Sequence, residues 1–464
     1  MKKKTLSAVI ACLLLFLCVS SWAVVLRDHR NDVSGLEARK ALANEKFEKQ
    51  IYDEALTEYK ACLETDPENL TAMARIAEIY QKTGQDANCI AWCERVARKD
   101  PSDLSIRLLE ARSYDSMKKV SSAISVLQKA KKSADGLTPE ASLWKEIDAY
   151  LLELKGRYEL TYFSFSWVCP WFDLPDGTSC ATVAEDNGLA VYSDHGKKQV
   201  SGTWSYLGVS ADDELLFPVR ENDKRFFVDN KGERRLVPDG TYTVLRGFSE
   251  GLAPAVRPAS EDGKQPARAG FLDKALKEQR FEFEESYPLT NGHALVKKEG
   301  TYFVLDSSLQ ETAACPFTAV NADIYGRALR FGLYIGRLQQ ADEAAEQWAL
   351  FSEDGARIGD FSADALRQPE SKDGPLAFCR GGLWGFVSRE GEVLIEPTYE
   401  DAYSFSKGLG AVKQDGKWGY IDREGNVIIP PTFEEALPFS KNGRAFVKNH
   451  AGYSLLTLTR YASK

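Results

Sequence analysis

The C-terminal fold is decided by residues 405–438, which run FSKGLGAVKQDGKWGYIDREGNVIIPPTFEEALP. Short apolar runs lie on either side of Asp415-Gly416, a dipeptide that strongly favours a two-residue hairpin turn. A second turn is predicted at residues 422–425, where the final glycine suits a left-handed backbone. Prolines at 430 and 431 then end the third run. The stretch therefore predicts an antiparallel unit of three short strands, with little room for a helix.

This unit belongs to a repeated series. Trp384-Gly385 recurs 34 residues later as Trp418-Gly419, and glycine, isoleucine, proline and phenylalanine residues downstream recur at the same spacing. Fixed spacing over that many positions identifies an internal repeat. Weaker copies that lack the Trp-Gly pair come earlier in the chain, and about eight units of about 27–47 residues are expected in all.

The repeats around the Lys-Trp-Gly triplet at residues 417–419 resemble the Trp-Gly repeat family of bacterial proteins, also called KWG repeats. That family has no agreed catalytic activity, so the resemblance implies architecture more than function. It implies a structural role for Trp384, Gly385, Trp418 and Gly419, which would hold hairpins in register. Three-stranded units expose edges and a half-buried face, which radial repetition or linear stacking covers. We expect a propeller-like array, with an elongated β-solenoid as the alternative.

A second repeat of the same period precedes this region, but its apolar spacing is helical. Small residues recur every 34 positions, as in Ala43, Ala77 and Ala111, and Asp66-Pro67 returns as Asp100-Pro101. Apolar residues between these positions follow the period of an amphipathic helix. The prolines block a helix from continuing across a repeat boundary. The pattern predicts paired helices that stack on their neighbours.

These columns resemble the tetratricopeptide repeat family over residues 36–135, with residues 144–158 as the first half of a further, capping unit. Hairpins of this kind stack into a superhelix with a concave groove. The resemblance implies that the first helix of each unit binds a protein or peptide in that groove. The groove-facing candidates are Lys40, Asn44, Arg75, Glu78, Leu108 and Arg112.

Charge and residue types limit the classes of function. The chain has 464 residues and a net charge of -9, and residues 159–464 hold 34 Lys/Arg against 45 Asp/Glu. An acidic domain repels phosphates, so we expect no nucleic acid ligand. The four histidines share no metal-ligand spacing, and the sequence contains no HExxH, GxSxG or P-loop motif. We therefore predict no catalytic residues, no metal and no cofactor.

The N-terminus has the pattern of a targeting segment. Lysines at residues 2–4 precede an uncharged apolar run over residues 6–26, which is long enough to cross a hydrocarbon core as a helix. The lysines should stay cytoplasmic. Two outcomes are open: a membrane anchor with the later domains outside the cytoplasm, or a signal peptide cleaved after Ala23 that leaves a secreted protein.

The sequence thus predicts an α+β multidomain protein in three parts. A signal anchor or signal peptide occupies residues 1–30, tetratricopeptide-like helical repeats residues 35–158, and an all-β Trp-Gly repeat domain residues 160–464. The expected function is a noncatalytic extracytoplasmic interaction scaffold, with a protein or peptide bound in the helical groove and a second surface on the β domain. The alternative is a module that binds a cell-envelope glycan or wall polymer, and a hidden hydrolase is the third reading.

Overall fold

The computed structural model describes residues 35–134, 141–262, 264–339 and 346–461. The chain divides into two compact units, which meet along the sequence at Lys155 and Gly156. The first unit is helical and the second is made of β-sheets. The predicted targeting segment at residues 1–30 lies outside the described residues.

The predicted localisation is corrected by the structure. Within the four described ranges, no helix is long and apolar enough to cross a membrane. The apolar run on which a membrane anchor was predicted, residues 6–26, is not among those residues, so no described element supports an anchored protein.

Seven helices make up the described part of the helical unit, and they alternate with short turns. They are α1 (35–48), α2 (Tyr52–Thr65), α3 (Leu70–Lys82), α4 (Asp86–Lys99), α5 (Leu104–Ser116), α6 (Val120–Ser133) and α7 (Ala141–Gly156). Two helix starts show the 34-residue period directly. Asn69 accepts a hydrogen bond from the Ala72 N–H at 3.0 Å, and Asp103 accepts one from the Ile106 N–H at 3.1 Å. Each side chain satisfies an N–H group that the first turn leaves free.

The small-residue columns lie where the helices approach one another. Ala43, Ala77 and Ala111 are fully buried. A second series with the same 34-residue spacing, Ala55, Cys89 and Ala123, is fully buried as well. Small side chains let neighbouring helices pack closely, and larger residues then fill the space between units. The predicted superhelix of tetratricopeptide type is confirmed.

The second unit consists of antiparallel sheets whose strands follow one another along the chain. Its first strand, β1 (Tyr158–Phe163), is an exception, because it belongs to the last sheet. The next four sheets contain β2 (Trp167–Val168), β3 (Phe172–Asp173), β4 (Ser179–Glu185), β5 (Gly188–Ser193) and β6 (Lys198–Gly202); β7 (Tyr206–Leu207), β8 (Phe217–Glu221), β9 (Lys224–Val228) and β10 (Arg234–Leu236); β11 (Val244–Leu245), β12 (Leu252–Arg257), β13 (Arg268–Asp273) and β14 (Glu278–Phe283); and β15 (Glu285–Ser286), β16 (Ala294–Lys298), β17 (Thr301–Leu305) and β18 (Glu311–Cys315).

Four more sheets complete the unit. They contain β19 (Phe317–Asn321), β20 (Leu333–Leu338) and β21 (Trp348–Ser352); β22 (Ala365–Leu366), β23 (Leu376–Arg380), β24 (Leu383–Val387) and β25 (Val393–Tyr399); β26 (Asp401–Ala402), β27 (Gly410–Gln414), β28 (Lys417–Ile421) and β29 (Val427–Phe433); and β30 (Glu435–Ala436), β31 (Arg444–Asn449) and β32 (Gly452–Leu458), the last of which pairs with β1. We call these eight sheets blades 1 to 8 in that order.

The blades form a closed ring. β1 runs antiparallel to β32, with Tyr158 opposite Leu458 and Phe163 opposite Tyr453. Apolar clusters lie between successive blades, and one cluster joins Ala181 of blade 1 to Phe446 of blade 8. Because the first and last blades share a core and the first strand completes the last sheet, the array is an eight-bladed propeller. The propeller expectation is confirmed, and the solenoid alternative is wrong.

The Trp-Gly glycines lie where an adjacent strand bulges. The pairing of β28 with β29 shifts between Trp418 and Tyr420, because the β29 residues opposite them are Phe433 and Ile429. A Cβ atom at Gly419 would lie 2.5 Å from the Ile429 carbonyl oxygen, too close for any side chain. Blade 6 has the same arrangement at its own Trp-Gly pair, with 2.4 Å to the corresponding isoleucine oxygen. The glycine therefore admits the bulge that carries the proline of the repeat.

Replacing Ala77 by leucine should lower the free energy of unfolding of the helical unit by about 1–3 kcal/mol, because the added methyl groups overpack a fully buried contact between helices. Chemical denaturation followed by far-UV circular dichroism measures this change. Ala91→Leu is the matched control, since Ala91 is exposed on α4. Equal stability of the two variants would contradict the packing described here.

Replacing Gly419 by alanine should destabilise blade 7 by a similar amount, about 1–3 kcal/mol, because β29 must move away from the new Cβ atom. Lys417→Ala, at an exposed position of the same strand, should leave stability nearly unchanged. Thermal unfolding followed by near-UV circular dichroism compares the two variants. An unchanged midpoint for Gly419→Ala would count against a steric role for this glycine.

Candidate functional site

The six groove candidates lie on the first helices of successive units. Lys40 and Asn44 are on α1, Arg75 and Glu78 on α3, and Leu108 and Arg112 on α5. The tetratricopeptide resemblance assigned them to the same class of helix, and the structure places them on alternate helices as that arrangement requires.

The cations among these candidates are already paired with carboxylates. Lys40 Nζ lies 2.8 Å from a carboxylate oxygen of Glu37, and Arg75 Nη1 lies 2.7 Å from Glu78 Oε2. Arg112 forms an ion pair with Glu146 of α7. This surface is therefore charged but locally neutral.

The other two candidates make contacts within the helical unit. The Tyr59 hydroxyl donates a 2.5 Å hydrogen bond to Asn44 Oδ1, which leaves the amide nitrogen of Asn44 free for other partners. Leu108 is only 4% exposed, because α6 packs against its side of α5 through Val120 and Ala123. Leu108 thus contributes to the core, and a binding role for the other five residues stays a prediction.

A charged pocket in the third helical unit was not foreseen from the sequence. A cavity of about 510 Å³ lies among α4, α5 and α6, and the Arg107–Glu110 ion pair (2.8 Å) forms part of its wall. Burial raises the pKa of the Glu110 carboxyl above its ordinary value, although Arg107 acts in the opposite direction. The 34-residue period could have indicated this pocket. Glu110 occupies the position that the buried Ile76 has in the preceding unit, so the period predicts a buried carboxylate there.

A cavity of about 910 Å³ lies at the centre of the propeller. Every blade contributes to its wall, mostly through the turn that follows the first strand of the blade. The charged side chains that line it are Asp173, Arg246, Glu250, Arg327, Arg330, Glu370, Lys372, Asp373, Lys407, Arg423 and Lys441.

Serine side chains connect these inner turns from blade to blade. Ser249 Oγ donates to the Leu289 carbonyl oxygen of the next blade at 2.5 Å, and Ser406 Oγ donates to that of Phe439 at 2.6 Å. Ser440 Oγ joins blade 8 to blade 1 by donating a 2.7 Å hydrogen bond to the buried carboxylate of Asp194. Bonds of this kind fix the turns relative to one another, so the cavity wall is pre-organised.

One position of the inner turn carries a different side chain in each of four blades. Glu250, Asn291, Phe331 and Lys407 occupy equivalent places, each with φ between 50° and 55° and each lining the cavity. The same backbone geometry with four unlike side chains is what a ligand-facing position produces. The signal that the sequence offers for these positions is the glycine that follows each of them, at residues 251, 292, 332 and 408.

A loop of blade 5 crosses the centre of the ring. The Tyr325 hydroxyl donates to the Pro170 carbonyl oxygen at 3.0 Å, and the tyrosine ring lies 5.1 Å from that of Phe172. Both partners belong to blade 1, which is opposite blade 5 in a ring of eight. Arg246 of blade 3 donates to the Tyr325 carbonyl oxygen at 3.0 Å, so three blades hold the tip of this loop.

Buried ion pairs support the crossing loop. Arg327 lies 2.7 Å from Asp323, and Arg330, which is 8% exposed, lies 3.1 Å from Glu370 of blade 6. Burial raises the pKa of the Asp323 carboxyl, but the guanidinium groups of Arg327 and Arg330 outweigh it and hold that pKa below its ordinary value. Asp323 therefore stays ionised and holds the loop, which makes the network structural.

Metal chemistry has no visible basis in the described ranges. No group of three or more histidine, cysteine, aspartate or glutamate side chains there is arranged to hold a metal ion. What the two surfaces offer is recognition: a row of paired charges on the helices, and a deep polar and aromatic cavity in the propeller.

Comparisons with known proteins agree with both folds. The family described as WG containing repeat matches residues 384–418 and 418–453, and the family described as tetratricopeptide repeat matches residues 47–103. No functionally curated protein shows significant similarity to the chain.

Solved structures similar to the chain include three small helical proteins. The TPR2B domain of yeast Sti1 in complex with pHsp70 is 22% identical, with 26% of this chain and 94% of that chain covered and a TM-score of 0.24. The translocator chaperone SycD of Yersinia enterocolitica is 18% identical, with 26% and 83% covered and a TM-score of 0.25. PcrH from Pseudomonas aeruginosa is 16% identical, with 26% and 92% covered and a TM-score of 0.25. The chain thus contains a tetratricopeptide repeat over residues 47–103 and WG containing repeats over residues 384–453, and the WG repeats form part of an eight-bladed propeller.

Proposed function

We propose that this protein is a noncatalytic interaction scaffold. Its helical repeats bind a protein or peptide segment, and its propeller provides a second binding surface. The observation that carries the proposal is the row of paired charges on α1, α3 and α5, where each cation is held by a carboxylate of its own helix or, for Arg112, of α7.

The paired charges favour a peptide of mixed charge as the ligand. Arg75 contacts Glu78 and also lies 4.7 Å from the centre of the Phe47 ring, so two contacts limit its conformations. A side chain that is already ordered loses little entropy when a ligand binds. Exposed ion pairs contribute only about 0–1 kcal/mol each, so a ligand carrying both signs can exchange partners with them at low cost.

Glycan binding through the repeat tryptophans has less support. Trp418 is 7% exposed and packs 5.4 Å from the Tyr403 ring, while the Arg367 guanidinium lies 4.8 Å from the ring centre of Trp384. Trp418 is thus buried, and Arg367 lies over the ring of Trp384, where a stacking sugar would compete with it. These tryptophans fit a role in blade packing, and a wall polymer is not part of the proposal.

Alanine at Arg75 or Arg112 should weaken capture of a protein partner by the full-length chain about tenfold, because charged anchors at the centre of an interface carry much of its affinity. A photo-crosslinking residue introduced beside α3 identifies the partner in the native cell, and quantitative pull-down then compares the variants. Arg98→Ala, at an exposed position of α4, is the matched control.

The same partner captured equally by Arg75→Ala, Arg112→Ala and Arg98→Ala would place binding away from this row and defeat the proposal. Far-UV circular dichroism separates loss of binding from loss of folding. The ion pairs lost in these variants are partly exposed, so the helical signal should be unchanged.

A further inference from the structure

We propose that the central cavity of the propeller binds a small organic anion through a carboxylate or phosphate group. This gives a chemical identity to the second surface of the proposed function, and it does not depend on the helical groove. The observation that directs it is a reversal of charge. Residues 159–464 carry 34 Lys/Arg against 45 Asp/Glu, yet the cavity is lined by seven Lys/Arg and four Asp/Glu of the described residues.

Several of the lining cations are already neutralised. Arg330 pairs with Glu370, and Arg423 lies 3.4 Å from Asp373. Lys441 Nζ lies 3.7 Å from a carboxylate oxygen of Asp173 in blade 1. These pairs shape the wall of the cavity and leave little charge for a ligand.

Three lining cations have no carboxylate within ion-pair distance in the described parts of the chain: Arg246, Lys372 and Lys407. Lys407 approaches only an aromatic ring, that of Tyr461 at 5.2 Å. They come from the inner turns of blades 3, 6 and 7, so they approach the cavity from different directions. Positive charges converging in a deep pocket of an acidic domain concentrate the field on an anion inside.

Arg246 is the strongest anchor of the three. A guanidinium carries five N–H donors, and the structure records one hydrogen bond from Arg246, to the Tyr325 carbonyl oxygen at 3.0 Å. Its Nε is buried without an acceptor. Leaving such donors unpaired is costly, and the planar fork of a guanidinium matches the oxygens of a carboxylate or phosphate.

The cavity also has the walls of an organic ligand site. Its volume of about 910 Å³ lies within the range of small-molecule pockets, about 300–1,000 Å³. Phe248, Leu329 and Phe331 contribute apolar surface beside the cations. A bare inorganic ion would fill only a small part of this space.

Phe331 is an unusual residue for its position. It has φ of 51°, which is strained for a bulky side chain, and 39% of its surface is exposed. The equivalent places in other blades hold Glu250, Asn291 and Lys407. Strained residues persist at sites where the geometry serves a ligand, and an exposed aromatic ring here provides a face for the carbon skeleton of the anion.

Calorimetric titration of the full-length protein tests the site with two probes, citrate for the carboxylate class and pyrophosphate for the phosphate class. We expect at least one probe to bind, with an affinity that falls as salt is added. Lys372→Gln combined with Lys407→Gln should weaken binding about fivefold or more, and Arg246→Gln should do the same. Lys417→Gln is the control, since Lys417 is exposed on β28 away from the cavity and should leave affinity unchanged.

Citrate alone, or pyrophosphate alone, would assign the site to one class, and both together would show recognition of charge. No binding of either probe up to about 10 mM would overturn the proposal, because the free energy of binding would then be weaker than about 3 kcal/mol. Binding that is equal in the lysine double variant, Arg246→Gln and Lys417→Gln would overturn it as well. Either failure leaves the Arg75 and Arg112 results, and so the helical groove, untouched.

Discussion

The pairing of β1 with β32 is the interaction on which the propeller depends. A row of eight sheets has two free edges unless its ends meet, and exposed edges invite pairing with other chains. Tyr158 and Leu458 are opposite each other although they are 300 residues apart in sequence. Closure converts a linear series of blades into a ring. The ring in turn gives the inner turns a common centre, so the cavity and its convergent cations exist only because the two ends pair.

Local patterns in the sequence predicted the repeated units well. Two tight turns around Asp415-Gly416 and Gly425 specify a meander by themselves, because each turn fixes the direction of the next strand. The buried columns of Ala43, Ala77 and Ala111 were equally readable, since only small side chains allow that helix packing. In both cases the physical cause lies within one repeat or its neighbour, and a fixed period makes it visible.

The sequence did not predict the closing strand, the Tyr325 loop or the burial of Leu108, because each depends on distant or irregular parts of the chain. Nothing in residues 158–163 marks them as the closing strand, since their partner lies at the other end of the domain. The loop that carries Tyr325, residues 322–332, is longer than the corresponding loops at residues 287–293 and 403–409 of blades 4 and 7. Leu108 shows the limit on the helical side: its helix was predicted correctly, but the packing of α6 decides that its side chain is buried. Side-chain direction is set by neighbouring elements, and these are not periodic.

The same closure imposes an order on synthesis. Each helix pair in the first unit contacts its nearest neighbours, so it can fold soon after those residues are made. Blade 8 cannot form in this way, because it needs β1 from the start of the domain and β30 to β32 from its end. Until the last of these strands is made, β1 and the other incomplete edge stay open to foreign strands. During synthesis, the helical repeats can therefore be folded while the propeller is still incomplete. The open strand edges of the propeller are the part that a chaperone would need to protect.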